Sequence, residues 1–77
     1  MQLVNERIEI NTAVMLGKPV VKGTRITVQS IVEELANGYS IADVLTAHPL
    51  LTEADVYAAL QYVSEIMKNE KVYTLAS

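Results

Sequence analysis

The sequence predicts a mostly α-helical domain, a small three-helix helix-turn-helix bundle behind a short β or extended N-terminal segment. Three observations predict it. Apolar residues recur at helical spacing in three separate runs after residue 27. Each run is preceded by a hydroxyl residue suited to capping a helix, namely Thr27, Ser40 and Thr52. The alternating Arg7–Ile10 stretch and the β-branched Val20-Val21 lie ahead of the first run.

Residues 1–26 read as an extended arm and turn. Arg7-Ile8-Glu9-Ile10 alternates polar and apolar, a short strand signal, and Val20-Val21 is a second short β-branched run. Gly17-Lys18-Pro19 marks a turn, because glycine tolerates unusual backbone angles and proline fixes its own. Gly23 bends the chain again, and Arg25-Ile26-Thr27 leads into the first helix.

Residues 27–69 hold the three helices. The first follows Thr27, with Val28, Ile31, Val32 and Leu35 as its apolar stripe and Gly38 at its end. The second starts at the capping box Ser40-Ile41-Ala42-Asp43, buries Ile41, Val44 and Leu45, and stops short of Pro49. The third starts at Thr52-Glu53-Ala54-Asp55 and runs from about Glu53 to Asn69. Its expected inner stripe is Val56, Ala59, Leu60, Val63 and Met67, widened by Tyr62 and Ile66. Tyr57, Gln61, Ser64 and Lys68 take the opposite side. Residues 70–77 form a tail in which Val72-Tyr73-Thr74-Leu75 has strand-like composition, suited to pairing with a terminal strand or to fraying.

With 77 residues there is room for one domain and one core. Hydrophobic residues make up 51% and charged residues 19%, more apolar surface than so small a monomer hides. A homodimer or a stable partner complex is therefore expected. The chain has no cysteine, so disulfides and thiolate zinc sites are excluded. No run approaches a membrane span, and Met1–Ile10 lacks the basic-then-apolar order of a signal peptide, so a cytoplasmic location is expected.

The net charge of −3 opposes strong unaided nucleic-acid binding, but it is unevenly spread. Residues 1–25 hold Arg7, Lys18, Lys22 and Arg25 against Glu6 and Glu9, a local charge of +2. Residues 26–77 hold Lys68 and Lys71 against seven acids, a local charge of −5. An anionic partner is expected at the basic end.

The Gly17–Arg25 segment admits two readings. In one, Gly and Pro shape the chain while Arg25 ties it to a carboxylate or to helix-end carbonyls. In the other, Lys18, Lys22 and Arg25 meet phosphates or an acidic partner surface, for which the planar guanidinium is well suited. The segment is not a P-loop, which needs a second glycine followed by Lys-Ser or Lys-Thr. If DNA is bound, the outer face of the third helix is the recognition surface and Tyr57 and Gln61 reach base edges. The acids Glu53 and Asp55 at its start oppose this, as does the long His48–Thr52 turn, and a plain solvated or dimer-packing face is the competing reading.

No enzyme, cofactor or metal is expected. His48 is the one histidine and lacks the ligand cluster of a metal site. No serine has a nucleophile's glycine-flanked context, and no carboxylate pair is placed for acid–base work.

Gly17-Lys18-Pro19-Val20-Val21-Lys22-Gly23-Thr24-Arg25-Ile26-Thr27-Val28 resembles the signature of a family of small bacterial and archaeal proteins, domain of unknown function 433. Gly38-Tyr39-Ser40-Ile41 and Pro49–Leu60 match its pattern in order and spacing, so the resemblance covers about residues 8–65. It implies a homeodomain-like helix-turn-helix fold. It also implies a role as the antitoxin of a VapB-type toxin–antitoxin pair, whose partner is a PIN-like ribonuclease, with weak binding to promoter DNA as a further expectation. Members often carry a proline ahead of the Gly-Lys-Pro turn; Thr12-Ala13 stands there in this chain, a departure that concerns the local turn. A helix-turn-helix transcription regulator and a homodimeric adaptor without a nucleic-acid role are the alternatives.

Overall fold

Three strands and three helices follow one another along the chain, and the helices account for most of the structured residues. The structure, a computed structural model, describes residues 2–69. The strand-like 72–75 stretch and the rest of the 70–77 tail lie outside the described residues.

Strands β1 (Gln2–Asn5), β2 (Ile8–Ile10) and β3 (Val20–Val21) form an antiparallel sheet in the order β1-β2-β3. The expected Arg7–Ile10 strand starts one residue later, because Arg7 belongs to the turn before it. The Asn5 side chain accepts from the backbone N–H of Arg7 and of Ile8 at 2.9 and 3.0 Å, and this closes the turn. Ile8 pairs with Val21, and Glu9 with Val20. Because side chains alternate across a strand, Ile8 and Val21 face the helices while Glu9 and Val20 face the other way. An isolated bridge from Val20 to Thr27 then delivers the chain to the first helix.

Helix α1 (Val28–Ala36) begins where Thr27 Oγ1 accepts the N–H of Ser30 at 3.0 Å. It ends in a Schellman motif. Gly38 takes a left-handed φ of 97°, the Tyr39 N–H reaches the Glu34 carbonyl and the Gly38 N–H reaches the Leu35 carbonyl. Helix α2 (Ile41–Ala47) carries the complete Ser40–Asp43 capping box. Helix α3 (Glu53–Asn69) has its own box: the Thr52 N–H donates to Asp55 Oδ2 at 2.9 Å and the Asp55 N–H donates to Thr52 Oγ1 at 3.3 Å.

One core joins all of this. Ile8 and Val21 from the sheet meet Val28 and Ile31 from α1, Val44 from α2, Leu51 from the α2–α3 turn, and Val56, Ala58 and Ala59 from α3. Each fully buried Val or Ile contributes roughly 1.5–3 kcal/mol relative to exposure. The inner face of α3 differs from the expected stripe. Ala58 is buried, whereas Leu60 and Met67 are 36% and 63% exposed. Two causes act together. The sheet packs against α3 as well as α1 and α2 do, which turns its covered face toward Ala58. Helices α1 and α2 have nine and seven residues against the seventeen of α3, so the far end of α3 outruns its neighbours.

Candidate partner-binding surface

Lys18, Lys22 and Arg25 are all exposed. The backbone that presents them is tightly specified. A 3₁₀ turn at Met15–Gly17 has left-handed φ at all three residues, and the Lys18 N–H closes on the Met15 carbonyl at 3.1 Å. The Lys22 N–H donates to the Arg7 carbonyl at 2.7 Å. Gly23, at φ 81°, starts a bend that Thr24 holds: its hydroxyl donates to the Val21 carbonyl at 2.8 Å and accepts from the Ile26 N–H at 2.9 Å. The two sides of this bend put Lys22 and Arg25 into solvent. No hydrogen bond or ion pair engages the side chain of Lys18, Lys22 or Arg25 among the described residues. The reading in which Arg25 ties the turn to a carboxylate or to helix-end carbonyls is therefore corrected; among the described residues no carboxylate lies within ion-pair distance of its guanidinium.

Arg7 makes that kind of contact instead. Its Nη1 donates to Asp55 Oδ1 at 3.0 Å, and the Asp55 side chain is only 10% exposed. Asp55 thus caps α3 through one oxygen and binds Arg7 through the other. Burial pushes its carboxyl up, but the Thr52 N–H, the Arg7 guanidinium and the Thr52 hydroxyl outweigh that and hold it below the ordinary value. A second pairing went unseen in the sequence: His48 Nε2 lies 2.8 Å from Glu34 Oε2 and joins the end of α2 to α1. Neither pair has a local sequence signal, since the partners are 48 and 14 residues apart. His48 is also the C-terminal cap of α2, with its N–H on the Val44 carbonyl. Among the described residues no group of three or more His, Cys, Asp or Glu is placed to hold a metal ion.

Tyr57 and Gln61 are exposed on α3, as their spacing predicts. They line a shallow depression with Asn5, Glu6 and Arg7 of the β1–β2 turn. The Asn5 amide also donates to the Ala58 carbonyl at 3.3 Å, which seats this turn on α3. None of the three bases lines this depression, so the structure brings Tyr57 and Gln61 together beside the β1–β2 turn and away from Lys18, Lys22 and Arg25. Arg25 lines a different cavity, with Glu9, Val14, Thr24, Ile26 and Leu50. No helix among the described residues is long and apolar enough to cross a membrane.

A family model described as a protein of unknown function, DUF433, matches residues 8–63. Among solved structures, a DUF433 member protein from Anabaena variabilis is similar in fold, with a TM-score of 0.77 and 28% sequence identity. The match covers 83% of this chain and 63% of that one, so the chain spans under two thirds of that protein's length. No curated protein matches.

Proposed function

The chain belongs to the DUF433 family, and we propose that it is a non-enzymatic binding protein, the antitoxin of a toxin–antitoxin pair, which neutralises a PIN-like ribonuclease. The observation that carries this reading is the state of the bases. Of the five described, Arg7 and Lys68 are paired with Asp55 and Glu65. Lys18, Lys22 and Arg25, which flank β3, have no carboxylate partner among the described residues. Nucleases that work through divalent cations hold them with carboxylates. Uncommitted ammonium and guanidinium groups flanking β3 are complementary to such a site and exclude both metal and RNA phosphate from it. Arg25 is the best suited of the three, because its fork binds a carboxylate through two parallel hydrogen bonds. The protein acts as a homodimer in this reading, which exposed Leu50 and Met67 support.

The test is co-expression with the PIN-like ribonuclease encoded beside it. A stoichiometric complex that no longer cleaves RNA is expected. The triple variant Lys18→Ala, Lys22→Ala, Arg25→Ala is expected to release the nuclease while retaining the wild-type circular dichroism spectrum. Failure of the wild-type chain to bind or inhibit that nuclease rejects the antitoxin reading.

One observation favours a helix-turn-helix regulator as the second reading. Arg7 compensates Asp55, so Glu53 alone remains as exposed acid in the first turn of α3. The repulsion that a DNA phosphate meets there is about halved relative to two free carboxylates. Salt-sensitive binding of the isolated protein to its own promoter, weakened by Tyr57→Ala and Gln61→Ala, distinguishes this reading.

A further inference from the structure

Glu9 is buried without a partner among the described residues. It is 9% exposed, and no hydrogen-bond donor or ion-pair partner meets its carboxylate among the described residues. A carboxylate in that position has open hydrogen-bond acceptors that a cationic donor can meet. Glu34 Oε1 is the one polar side-chain atom among the described residues that is both sealed from solvent and unpartnered. The Glu9 oxygens, unpartnered too, therefore keep an opening. Glu9 lines a shallow, open surface pocket of about 580 Å³ together with Val14, Thr24, Arg25, Ile26 and Leu50.

The cavity has an order of charge and polarity. The acid is buried, Val14, Ile26 and Leu50 supply apolar wall, and the base, Arg25, is exposed. Arg25 and Glu9 share the space yet form no ion pair within 4.0 Å. A bare cation gains from Glu9 but is repelled by Arg25 on the way in. A bare anion meets the reverse. A molecule that carries both charges satisfies both groups, and an apolar body between or beside them covers the wall.

We propose that this cavity is a binding site for a small zwitterion with an apolar body, its ammonium on Glu9 and its carboxylate on Arg25. Amino acids are the chemical class, with the spacing between the two charges as the open variable. The site shares Arg25 with the surface of the antitoxin reading, but its test uses the isolated chain, so failure of one reading is distinguishable from failure of the other.

The experiment is an NMR titration of the isotopically labelled full chain with four probes. L-leucine and 6-aminohexanoate carry both charges at short and long spacing. 3-Methylbutylamine and 4-methylpentanoate are leucine without its carboxylate and without its ammonium. At least one zwitterion is expected to shift the amides of Glu9, Thr24 and Arg25 and to bind about tenfold more tightly than either fragment, the increment of one charge-assisted hydrogen bond. Glu9→Gln and Arg25→Gln each lose about the same tenfold, whereas Lys68→Ala, on α3 and outside this pocket, retains full affinity. Arg25 is exposed and unbonded, so its variant keeps the test valid even where Glu9→Gln disturbs the fold. Three results overturn the proposal: no shift at those amides with either zwitterion, the amine alone binding as tightly, or undiminished affinity in Arg25→Gln.

Discussion

Arg7 and Asp55 lie 48 residues apart, and the 3.0 Å contact between Nη1 and Oδ1 fastens the β1–β2 turn to the first turn of α3. The carboxylate is nearly buried and the guanidinium is 44% exposed. This asymmetry decides what each side chain is worth. Asp55 serves the helix cap and the ion pair together, whereas Arg7 serves the ion pair alone and is largely hydrated. Asp55→Ala is expected to destabilise the fold by about 2 kcal/mol, through the lost cap and the lost charge-assisted bond. Arg7→Ala is expected to cost under about 1 kcal/mol. Urea unfolding of both single variants and the double variant measures the coupling directly, and strict additivity would show that the pair contributes nothing.

The same carboxylate sets an acid limit. Asp55 and Asp43 both titrate below the ordinary value of 3.8, Asp55 despite its burial and Asp43 because the Ser40 N–H and hydroxyl stabilise its charge. A depressed folded-state value means that the unfolded chain takes up protons first as pH falls. The stability these groups contribute is therefore complete above the unfolded value of about 4 and is lost as pH drops through the lower folded values. Urea midpoints are expected to be flat from pH 7 to about 5 with respect to these two groups and to fall below about pH 4. Asp55→Asn is expected to start from a lower midpoint and to lose less on acidification; an acid dependence identical to wild type would exclude Asp55 as its source.

Glu34 and His48 offer a contrast between removing one partner and removing both. Among the described residues Glu34 Oε1 is buried without a donor, and Oε2 has only His48. His48→Ala leaves the carboxylate without either and is expected to cost about 1–3 kcal/mol. Replacing the pair by Leu at 34 and Leu at 48 is expected to recover most of that loss, because two apolar groups have no unmet hydrogen bonds. Thermal melts of the two variants decide this, and a double variant less stable than His48→Ala would show that the pair is net stabilising.

Arg25 and Lys18 separate folding from binding. Neither side chain has a bond to lose within the described residues, so Arg25→Ala and Lys18→Ala are each expected to change stability by under about 0.5 kcal/mol. Affinity for an acidic protein partner is expected to fall more for Arg25→Ala, since a lysine is a point charge and the guanidinium is bidentate. Calorimetric titration against the neighbouring nuclease checks the ranking, and equal losses would remove the special role of Arg25.

The remaining apolar surface predicts self-association. Leu50 and Met67 are 74% and 63% exposed, large for a chain whose core is this small. Light scattering at micromolar concentration is expected to give the mass of a dimer, and Met67→Asp is expected to weaken it. A monomeric mass for the wild type would contradict the dimer.

Where the chemistry is local, the sequence alone determined the outcome. Thr27, Ser40 with Asp43, and Thr52 with Asp55 start the helices because a side-chain oxygen three residues from a free N–H needs no distant partner. Gly38 and Pro49 stop two of them for equally local reasons of backbone geometry. The Val28 and Ile31 face of α1 was legible from spacing. So were the exposure of Tyr57 and Gln61 and the motif that places the chain in its family.

Only the tertiary structure decided which charges meet. Asp55 reads in sequence as an ordinary helix-start acid, and Arg7 as one of four bases, until the hairpin brings them within 3.0 Å. The pairing of His48 with Glu34 likewise needs α1 and α2 already packed. Leu60 and Met67 carry the right periodicity for burial, yet burial depends on how far the neighbouring elements reach. Glu9 reads as the solvent-facing residue of an alternating strand, yet it lies 9% exposed at a cavity shared with Arg25. Helix and turn signals act over three or four residues, whereas burial and ion pairing are properties of distances that the chain sets only once it has folded.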